Sequence, residues 1–319
     1  MILTVTLNST IDIVVPLSTL ILGTVSRTRA IYTYPGGKAA NVARALKQLG
    51  GKPHAFGFVG IRDSRETEHF LRHHGVPSSY IPCTGSNRIC LLLTETNGAF
   101  RETIINSESD IDIKEKDIRL FFKKLKELTK KSSHVIFSGS MPVSLPPDFY
   151  AKAIRSVDKN CIPMLDTSSK YLFHGIKASP GIIKQNLSEL ESAFHVKLSS
   201  PPKIMEFISG LSEKYGVHVI IVTMNEKGSL VFDNGSFYFF PAVRVKDPVS
   251  PVGSGDAYSA GLLYGLSKGE SVKNSCKWAV AAAAANLGHL GSCFINRNDV
   301  VKYIKKVKIM AIKNLKFKM

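Results

Sequence analysis

The residues best suited to chemistry lie in the segment Ser250-Pro-Val-Gly-Ser-Gly-Asp256, which precedes a helical stretch of small and apolar residues. Because two glycines flank a serine, the backbone N–H groups of Gly253, Ser254 and Gly255 are expected to converge at the positive end of that helix. Such a nest suits a phosphoryl group that gathers negative charge during transfer. Asp256 is then either an ordinary helix-start carboxylate or a group that accepts a proton during catalysis.

A second glycine-rich segment lies near the amino terminus, at Pro35-Gly-Gly-Lys-Ala-Ala-Asn41. Its glycines allow the backbone to approach a ligand closely, and Asn41, in the first turn of the following helix, can reach hydroxyl groups. Asp12 lies after the first apolar strand. Alone, a Gly-Gly pair before a helix is often just a turn, but the pairing of Asp12 with Asn41 predicts a site for a polyol.

The elements that must position these residues can be predicted from the alternation of apolar runs with amphipathic stretches after about residue 133. The pattern predicts four buried strands and two helices, at His134–Gly139, Ile162–Asp166, Gly181–Gln185 and Val217–Thr223, and at about Asp148–Ser156 and Asn186–Phe194. Strands that alternate with helices indicate βαβ units, a mostly parallel sheet and right-handed crossovers.

The amino-terminal third has a different pattern, in which strands are joined by turns such as Thr96-Asn-Gly98. The predicted strands are Ile11–Leu20, Thr24–Tyr34, Arg88–Thr94 and Ala99–Ile105. They indicate a small antiparallel β lid, discontinuous in sequence (about residues 11–34 and 87–106), inserted around the first βα units. A sheet of this size cannot bury both of its faces, so it should cover the active-site mouth, a partner subunit or both.

Composition excludes several classes of protein. With 44% hydrophobic and 21% charged residues, the chain is not intrinsically disordered. The longest run of small apolar residues, Ala279–Leu287, is far shorter than the roughly 20 residues that a bilayer requires. The opening residues, Met1 to Leu7, have no basic leader and no small-residue cleavage site, so they predict a first strand and not a signal peptide. The length of 319 residues suits two domains, or one large α/β domain with an accessory piece.

The cysteines and histidines show no metal pattern. Five cysteines, an odd number without a C-x-x-C pair, indicate reduced structural thiols of a cytosolic protein; they are Cys83, Cys90, Cys161, Cys276 and Cys293. His69 and His73 are spaced like zinc ligands on a helix, but no third ligand lies nearby in the sequence. We therefore expect no zinc site.

The net charge of +17, from 42 Lys+Arg against 25 Asp+Glu, raises the question of a polyanionic partner. Seven of the lysines lie in Lys302–Met319, where apolar residues recur at helical spacing, and Lys114–Lys131 has a similar apolar stripe. These residues are Ile304, Val307, Ala311 and Leu315 in the first segment and Ile118, Phe121, Phe122, Leu125 and Leu128 in the second. Both segments are interpreted as helices with solvated basic faces, and a nucleic-acid or anionic-surface role is the weaker alternative.

Taken together, these residues resemble the ribokinase-like (pfkB) family of carbohydrate kinases, and within it the branch of tagatose-6-phosphate kinase and 1-phosphofructokinase. The resemblance covers nearly the whole chain. It is carried by Thr6-Leu-Asn-Ser-Thr-Ile-Asp12, Asn41-Val-Ala-Arg-Ala-Leu46, Ser138-Gly-Ser-Met-Pro142 and Pro251-Val-Gly-Ser-Gly-Asp256. It implies a three-layer α/β/α sandwich with a mostly parallel central sheet, as a single kinase domain over residues 1–319 with the β lid.

The resemblance also implies how the nucleotide is handled. Asp256 is expected to be the general base, and Gly253, Ser254 and Gly255 the anion hole for the γ-phosphoryl group of ATP. The family's Asn-x-x-Glu motif, which organises magnesium and phosphates, matches Asn186 and Glu189, with Glu189 holding Mg²⁺ through water. Thr223 and Gly228 lie where the family's nucleotide-binding loop runs, and Asn286 lies near the end of its adenine pocket.

For the sugar, the resemblance implies contacts from Asp12, Gly37, Lys38, Asn41 and Ser138. Arg88 falls where the family places its arginine for the substrate's own phosphate, and a guanidinium matches phosphate oxygens in two bonds. Arg27 and Arg101, on neighbouring predicted lid strands, are either helpers of Arg88 or exposed residues of a strand edge.

Four positions depart from the family pattern. Ala39, Ile61 and Asn225 stand where glycine is usual, and Gln185 stands where the family has proline in Lys-Pro-Asn. These changes bear on the identity of the sugar more than on the phosphoryl-transfer chemistry, since Asp256 and its glycines are intact.

The expected function is that of a cytosolic kinase that uses ATP and Mg²⁺ to phosphorylate the 1-hydroxyl of tagatose 6-phosphate. The alternatives within the same class are phosphorylation of fructose 1-phosphate at its 6-hydroxyl and phosphorylation of fructose 6-phosphate. A non-catalytic phosphosugar sensor is an alternative of another class, and a nucleic-acid binder is the weakest. The expected partners are the phosphorylated ketohexose and a second copy in a homodimer through the β lid, with no nucleic acid and no membrane.

Overall fold

The structure, a computed structural model, describes residues 1–97 and 101–310 of the chain. Its strands are β1 (Ile2–Thr6), β2 (Thr10–Leu17), β3 (Tyr32–Gly36), β4 (Pro53–Gly60), β5 (Ile81–Cys83), β6 (Arg88–Glu95), β7 (Glu102–Asn106), β8 (His134–Ser138), β9 (Ile162–Asp166), β10 (Ile182–Asn186), β11 (Val219–Thr223), β12 (Ser229–Asp233) and β13 (Ser236–Phe240). Its helices are α1 (Lys38–Gln48), α2 (Ser64–His73), α3 (Glu115–Thr129), α4 (Phe149–Arg155), α5 (Ser169–Gly175), α6 (Leu187–Phe194), α7 (Pro201–Tyr215), α8 (Ser254–Ser267), α9 (Val272–Asn286) and α10 (Arg297–Ile304).

The main sheet has the strand order β13-β12-β11-β10-β9-β8-β1-β4-β5. From β5 to β11 every neighbouring pair is parallel, and the β11–β12 and β12–β13 pairings at one edge are antiparallel. The strands predicted after residue 133 are all present, and β1 confirms the predicted first strand. Apolar runs were sufficient for this prediction because a sheet covered on both faces needs apolar residues at every position.

Helices cover both faces of this sheet, which gives the predicted three-layer α/β/α sandwich. Alternate residues of β8 show the division: Val135 and Phe137 face the core under α3 to α7, while Ile136 faces the core under α1, α8, α9 and α10. The amphipathic stretch at 114–131 is the helix α3, with Phe121 and Leu125 fully buried. None of the helices in the described residues is long and apolar enough to cross a membrane.

The second sheet has four strands in the order β3-β2-β6-β7. Two of its pairings are antiparallel, as expected, whereas β2 and β6 pair in parallel because a long connection separates them in the sequence. The strand predicted over Thr24–Tyr34 is wrong for most of its length, since regular structure begins only at Tyr32. Residues 21–30 have no strand partner among the described residues, and Gly23 turns there with φ of 79°. Residues 98–100, part of the predicted turn and of the fourth strand, lie outside the described residues.

The carboxyl-terminal helix is shorter than predicted. It ends at Ile304, and Val307 and Ile309 pack against the core from a non-helical segment. Met310 then forms an isolated antiparallel bridge with Phe239 of the edge strand β13. Ala311, Leu315 and the last lysines lie outside the described residues.

Candidate active site

Polar side chains gather where the parallel strands of the main sheet end. Ser138, Asp166, Asn186 and Thr223 are the last residues of β8, β9, β10 and β11. In α/β sheets, ligands bind outside the carboxyl ends of the strands. The helices α1 and α8 both begin at this edge, which brings Asn41 and Asp256 together.

The loop that leads into α8 has a conformation that requires glycine. Gly253 has φ of 82°, and a Cβ there would lie 2.7 Å from the Cα of Ser292 and 2.9 Å from the nitrogen of Cys293. One part of the predicted nest is wrong: the N–H of Ser254 donates to the carbonyl of Pro251 (3.1 Å), so it is not free for a ligand. Gly255 and Asp256 follow as the second and third residues of the helix, where amides lack intrahelical acceptors. The available anion donors are therefore shifted towards Asp256.

Asn286 supports this loop through the hydrogen bonds of its side chain. Its side chain is fully buried, its Nδ2 donates to the carbonyl of Val252 (2.8 Å) and to Ser254 Oγ (3.1 Å), and its Oδ1 accepts from the N–H of Cys293 (2.8 Å). Its donor and acceptor groups are thus used within the protein. Asn286 therefore supports the Gly253 loop, and the place near an adenine pocket implied by the resemblance stays a prediction.

Asp256 is the central carboxylate of the site. It is 7% exposed, and its Oδ2 accepts a hydrogen bond of 3.0 Å from Asn41 Nδ2. Burial raises the pKa of Asp256 to about 6; Asp166 adds to the rise, while Lys38, Lys184 and the Asn41 hydrogen bond oppose it. A carboxylate with this pKa is ionised at neutral pH and is still basic enough to accept a proton.

Two lysines and two acids form a charged network beside Asp256. Lys184 Nζ, buried, donates to Asp166 Oδ2 at 2.7 Å, and Ser259 Oγ donates to the same oxygen at 2.9 Å. Lys38 Nζ lies 3.3 Å from Glu189 Oε1 and 4.0 Å from Asp166 Oδ1. Burial alone would raise the pKa of Asp166, but the two lysines lower it overall. Burial likewise opposes the charge on Lys38, and the surrounding carboxylates raise its pKa overall.

The donor set is compatible with a hydrated magnesium ion. No three acidic, histidine or cysteine side chains within the described residues converge on one point, so the protein alone forms no metal cage. Asp166 Oδ1 is buried without a hydrogen-bond partner among the described residues. It and the carboxylate of Glu189 both lie near the ammonium group of Lys38. Mg²⁺ typically keeps several waters and binds one or two carboxylates together with substrate phosphates. Asp166 and Glu189 fit that role.

Two of the nucleotide-binding residues implied by the resemblance, Asn186 and Thr223, line a cavity of about 210 Å³ together with Asn225, whereas Glu189, Gly228 and Asn286 do not line it. Asn186 and Glu189 form a reciprocal capping box at the start of α6, with Glu189 N–H donating to Asn186 Oδ1 at 2.7 Å. Asn225 has φ of 49°, a left-handed conformation that asparagine tolerates, which explains why it can replace glycine. Gly228 is needed by the fold, because a Cβ there would lie 2.1 Å from the carbonyl of Phe240.

The sugar-binding residues implied by the resemblance surround the same edge. Asp12 is 4% exposed on β2, and burial raises its pKa although Thr10 Oγ1 donates to its Oδ1 at 2.6 Å. A Cβ on Gly36 would lie within 2.5 Å of that carboxyl group, so the glycine pair allows β3 to pass over it. Gly37 then caps α1, which carries Lys38 and Asn41. Ser138 Oγ is buried without a partner at the end of β8.

The three predicted phosphate arginines do not lie together. Arg88 opens β6, where its Nη1 donates to Asn106 Oδ1 (2.6 Å) and its Nε is buried without a partner. The backbone carbonyl of Arg101 accepts a hydrogen bond from the N–H of Glu95, at the other end of β6. The eight residues of β6 span roughly 23 Å. Arg27 is exposed in the loop that follows the same far end of β2. Within one chain, neither Arg27 nor Arg101 can share a phosphate with Arg88.

Three residues of this site were missed from the sequence. Asp166 and Lys184 end adjacent strands, and their pairing could have been suspected from acidic and basic residues at the ends of two apolar runs. Arg44 had no such signal. It is fully buried one helical turn after Asn41, and its partners are remote in the sequence.

Among the departures from the family pattern, Ala39 is fully buried in α1, whereas Ile61 is 59% exposed after β4. Gln185 is fully buried, and neither its Nε2 nor its Oε1 has a partner. Nothing in the structure explains why glutamine replaces proline there.

Comparison with known proteins identifies the family of the chain. The profile of the pfkB family of carbohydrate kinases matches residues 3–298. The chain is 30% identical over 309 residues to a 1-phosphofructokinase of Borreliella burgdorferi, covering 97% of this chain and 98% of the relative. It is 27% identical over 315 residues to a tagatose-6-phosphate kinase of Staphylococcus epidermidis, covering 98% and 100%.

Among solved structures, phosphofructokinase-2 of Escherichia coli in complex with potassium has a TM-score of 0.87 at 21% identity, covering 96% of this chain and 98% of that one. The same enzyme has been solved in a tetrameric inhibited form, with a TM-score of 0.85 at 20% identity, covering 96% and 98%. At such identities the likeness shows the fold. With the family match over most of the chain, it follows that this protein belongs to the pfkB family of carbohydrate kinases, as its motifs predict.

Proposed function

We propose that this protein transfers the γ-phosphoryl group of ATP to a free hydroxyl of a ketohexose phosphate, in a reaction that requires Mg²⁺. The observation that carries the proposal is the placement of Asp256. Its buried carboxylate stands at the start of α8, next to the glycine loop and within the field of Lys38 and Lys184. A proton acceptor at an anion-binding helix terminus suits phosphoryl transfer to an alcohol.

The chemical step follows from this placement. Asp256 accepts the proton of the attacking hydroxyl as its oxygen bonds to the γ-phosphorus, and the bond from that phosphorus to the bridging oxygen of ADP breaks. The amides of the first turn of α8 and the ammonium groups of Lys38 and Lys184 stabilise the charge on the transferred group. Asp166 and Glu189 would hold Mg²⁺, which when bound would neutralise charge on the nucleotide phosphates.

The position of Arg88 supports a substrate that already carries a phosphate. Arg88 lies on β6 in register with Thr10, two residues before the Asp12 position, and a buried Nε without a protein partner remains available for an anion. A good charge-assisted contact contributes about 1.5–3 kcal/mol, which corresponds to roughly ten- to a hundredfold in affinity. This site would hold the phosphate at one end of the sugar while Asp256 addresses the hydroxyl at the other.

Two substrates fit that description, and each has a supporting observation. The motif Pro251-Val-Gly-Ser-Gly-Asp256 favours tagatose 6-phosphate, phosphorylated at its 1-hydroxyl. The similar identity to the 1-phosphofructokinase relative favours fructose 1-phosphate equally, phosphorylated at its 6-hydroxyl. Both place a phosphate and the attacked hydroxyl at opposite ends of a ketohexose. Fructose 6-phosphate is the third candidate.

We also infer that the chain forms one kinase domain with the small sheet as its lid. Val14 and Leu92 on the inner face of this sheet are buried together with Val252 and Leu290 of the loops near α8. Glu102 on β7 accepts a hydrogen bond of 2.5 Å from Ser250 Oγ, in the segment that precedes Gly253. The lid thus contacts the loop that carries the anion donors, through this hydrogen bond and the apolar packing.

The outer face of the lid supports a homodimer. Alternate residues of its strands present a continuous apolar surface, formed by Ile11, Ile13, Val15, Ile89, Leu91, Leu93 and Ile105. Ile89 is 45% exposed and Ile105 is 53% exposed in the single chain. A second copy of this chain would bury that surface. The variant Ile89→Lys should shift the protein from dimer to monomer in sedimentation velocity; a wild type that sediments as a monomer contradicts this assembly.

The proposed function is tested by measuring ADP formation with ATP, Mg²⁺ and each of tagatose 6-phosphate, fructose 1-phosphate and fructose 6-phosphate. The unphosphorylated ketohexoses serve as controls. We expect one phosphosugar to give the highest kcat/KM by at least tenfold, and chelation of Mg²⁺ to abolish turnover. Binding of phosphosugars without any ADP formation would support the non-catalytic sensor instead.

A further inference from the structure

Arg44 is a buried cation that takes no direct part in the proposed reaction. It follows Asn41 by one turn on α1, and its Nη2 donates to Asn41 Oδ1 at 3.2 Å. We propose that Arg44 is a positioning residue that fixes the orientation of the Asn41 amide and, through it, the carboxylate of Asp256. This inference rests on the proposed function, in which Asp256 is the general base.

The chemistry of the three groups allows only one arrangement. A guanidinium has donors only, a carboxylate has acceptors only, and an amide has one end of each kind. Arg44 occupies the oxygen end of the Asn41 amide, so the Nδ2 end faces Asp256 Oδ2, at 3.0 Å. A rotated amide would place its oxygen against the carboxylate and its NH₂ group against the guanidinium. Among the described residues no other side chain donates to Asn41 Oδ1, so without Arg44 that end of the amide no longer selects between the two orientations.

Arg44 is itself held from several directions. Its Nη2 also donates to the carbonyl of Ser292, and its Nε donates to the carbonyl of Cys293 at 3.4 Å. The guanidinium carbon lies 4.3 Å from the ring centroid of Phe294, 5.4 Å from that of Tyr34 and 5.5 Å from that of Phe70. Aromatic faces attract a guanidinium, and such contacts strengthen when water is excluded. The position of Arg44 is therefore set by β3, α2 and the segment after α9, and it cannot swing away.

The same contacts link the base to the anion donors. Cys293, whose carbonyl accepts from Arg44, donates its N–H to Asn286, and Asn286 holds Val252 and Ser254. A continuous path of hydrogen bonds thus runs from Asp256 through Asn41 and Arg44 to the loop of Gly253. Displacements of about 1 Å in a reacting geometry can reduce a rate about a hundredfold. Arg44 thus maintains the relative positions of the proton acceptor and the anion donors.

A pH profile can detect this role. The groups that act on Asp256 are Lys38, Asn41 and Arg44 on α1, Asp166 on β9, Lys184 on β10 and Cys293 after α9. Removing Arg44 removes a nearby cation and leaves the Asn41 donor disordered, and both changes favour the protonated carboxyl. The acid limb of kcat should therefore move to higher pH, by about one unit.

The chain offers a matched control on the same helix. Gln48, one turn further along α1, donates to the same carbonyl of Cys293 (3.2 Å) and accepts from the N–H of Ile295 (2.6 Å), but does not touch Asn41. Gln48→Met therefore loosens the attachment of that segment without affecting the amide orientation. Arg44→Lys retains charge and most of the volume but loses the fork that reaches Asn41 and the two carbonyls together.

The experiment measures kcat against pH, at saturating ATP and the best phosphosugar, for wild type, Arg44→Met, Arg44→Lys, Gln48→Met and Asn41→Leu, and for the double variant of Arg44→Met with Asn41→Leu. We expect Arg44→Met to lower kcat about 30- to 100-fold with the upward shift of the acid limb. Arg44→Lys should show a smaller upward shift, because it retains the cation, with a loss of kcat of about tenfold. In the Asn41→Leu background, Arg44→Met should add little, because the two residues act in series.

Three results overturn the inference. The first is a kcat within threefold of wild type together with an unshifted acid limb in folded Arg44→Lys. This variant tests the inference even if Arg44→Met does not fold. The second is a loss of kcat in Gln48→Met as large as that in Arg44→Met. It would show that Arg44 only anchors the loop. The third is full additivity in the double variant. A wild type with no sugar-dependent ADP formation at all is a distinct result, since it contradicts the proposed function on which the inference depends.

Discussion

The two residues that we place at opposite ends of the sugar, Asp256 and Arg88, sit in very different surroundings. Asp256 is 7% exposed, hydrogen-bonded by Asn41 and surrounded by the charges of Lys38, Lys184 and Asp166. Arg88 is half-buried at one end of a lid strand, and its hydrogen-bond partner, Asn106, is exposed.

This difference separates the two parts of the function. A group held on several sides by buried partners keeps its geometry, and any change there leaves a buried polar atom unpaired. The catalytic end therefore determines the reaction. An anchor on a partly exposed strand can be altered at little cost to the fold, so we propose that substrate choice is set at the lid end. The predictions below test this division, from the largest expected effect to the smallest.

Replacing Asp256 with asparagine should reduce kcat by about 10²–10⁴, the usual contribution of a general base. The amide is isosteric but cannot accept the proton. Affinity for the phosphosugar, measured by calorimetry without ATP, should change less than tenfold. A loss of binding that is as large as the loss of kcat would show that Asp256 acts mainly in holding the sugar.

Gly253→Ala should lower kcat by about 10²–10³, comparable to removal of an anion-hole donor. Both the φ of 82° and the contact of 2.7 Å with the Cα of Ser292 oppose a side chain there. Gly269→Ala is the matched control: its φ is 79°, but no atom lies within 4 Å of the new Cβ. The control should lose some stability and keep its kcat, whereas an equal loss in both variants would attribute the effect to backbone strain alone.

Arg88→Ala should raise KM for the phosphosugar about ten- to a hundredfold while kcat changes little, because the lost contact is present before and during the reaction. Arg101→Ala, at the far end of β6, should leave KM within twofold. Equal increases of KM for phosphorylated and unphosphorylated sugars would remove Arg88 from the phosphate site.

The last prediction concerns stability and not activity, and its sign is opposite. Because burial raises the pKa of Asp256 from 3.8 to about 6, the folded state binds this proton more tightly than the unfolded state. Stability therefore falls as pH rises from about 4 to 6, and the ionised carboxylate costs on the order of 3 kcal/mol above pH 6. Asp256→Asn should raise the Tm by about 5 °C at pH 7.5, and the gain should vanish near pH 4. A lower Tm for Asp256→Asn at pH 7.5 would contradict the buried, strained carboxylate.

The same division explains what could be predicted from the sequence. The central strands were predictable because both of their faces are buried, which leaves continuous apolar runs such as Val219–Thr223. The motif around Asp256 was recognisable in part because close backbone contacts require glycine at position 253. The predicted lid strand at Thr24–Tyr34 was mostly wrong, since residues 21–30 have no strand partner to impose a pattern.

Details that depend on tertiary contacts were beyond the sequence. The N–H of Ser254 is used by Pro251, and Asn286 is used by the loop it supports, neither of which spacing could reveal. Arg44 was missed because Ser292 and Phe294, which hold it, lie about 250 residues further along the chain. The separation of Arg27 and Arg101 from Arg88 likewise required the register of β6.

The central claim, that Asp256 is a general base kept ionised above pH 6, is tested most directly by the pH dependence of kcat between pH 4.5 and 9. The wild type should lose activity about tenfold per unit below pH 6, and the limb should be absent from the residual rate of Asp256→Asn. That comparison matters because phosphate monoesters also titrate near pH 6. A flat wild-type profile down to pH 5, or an unchanged limb in Asp256→Asn, would contradict the account.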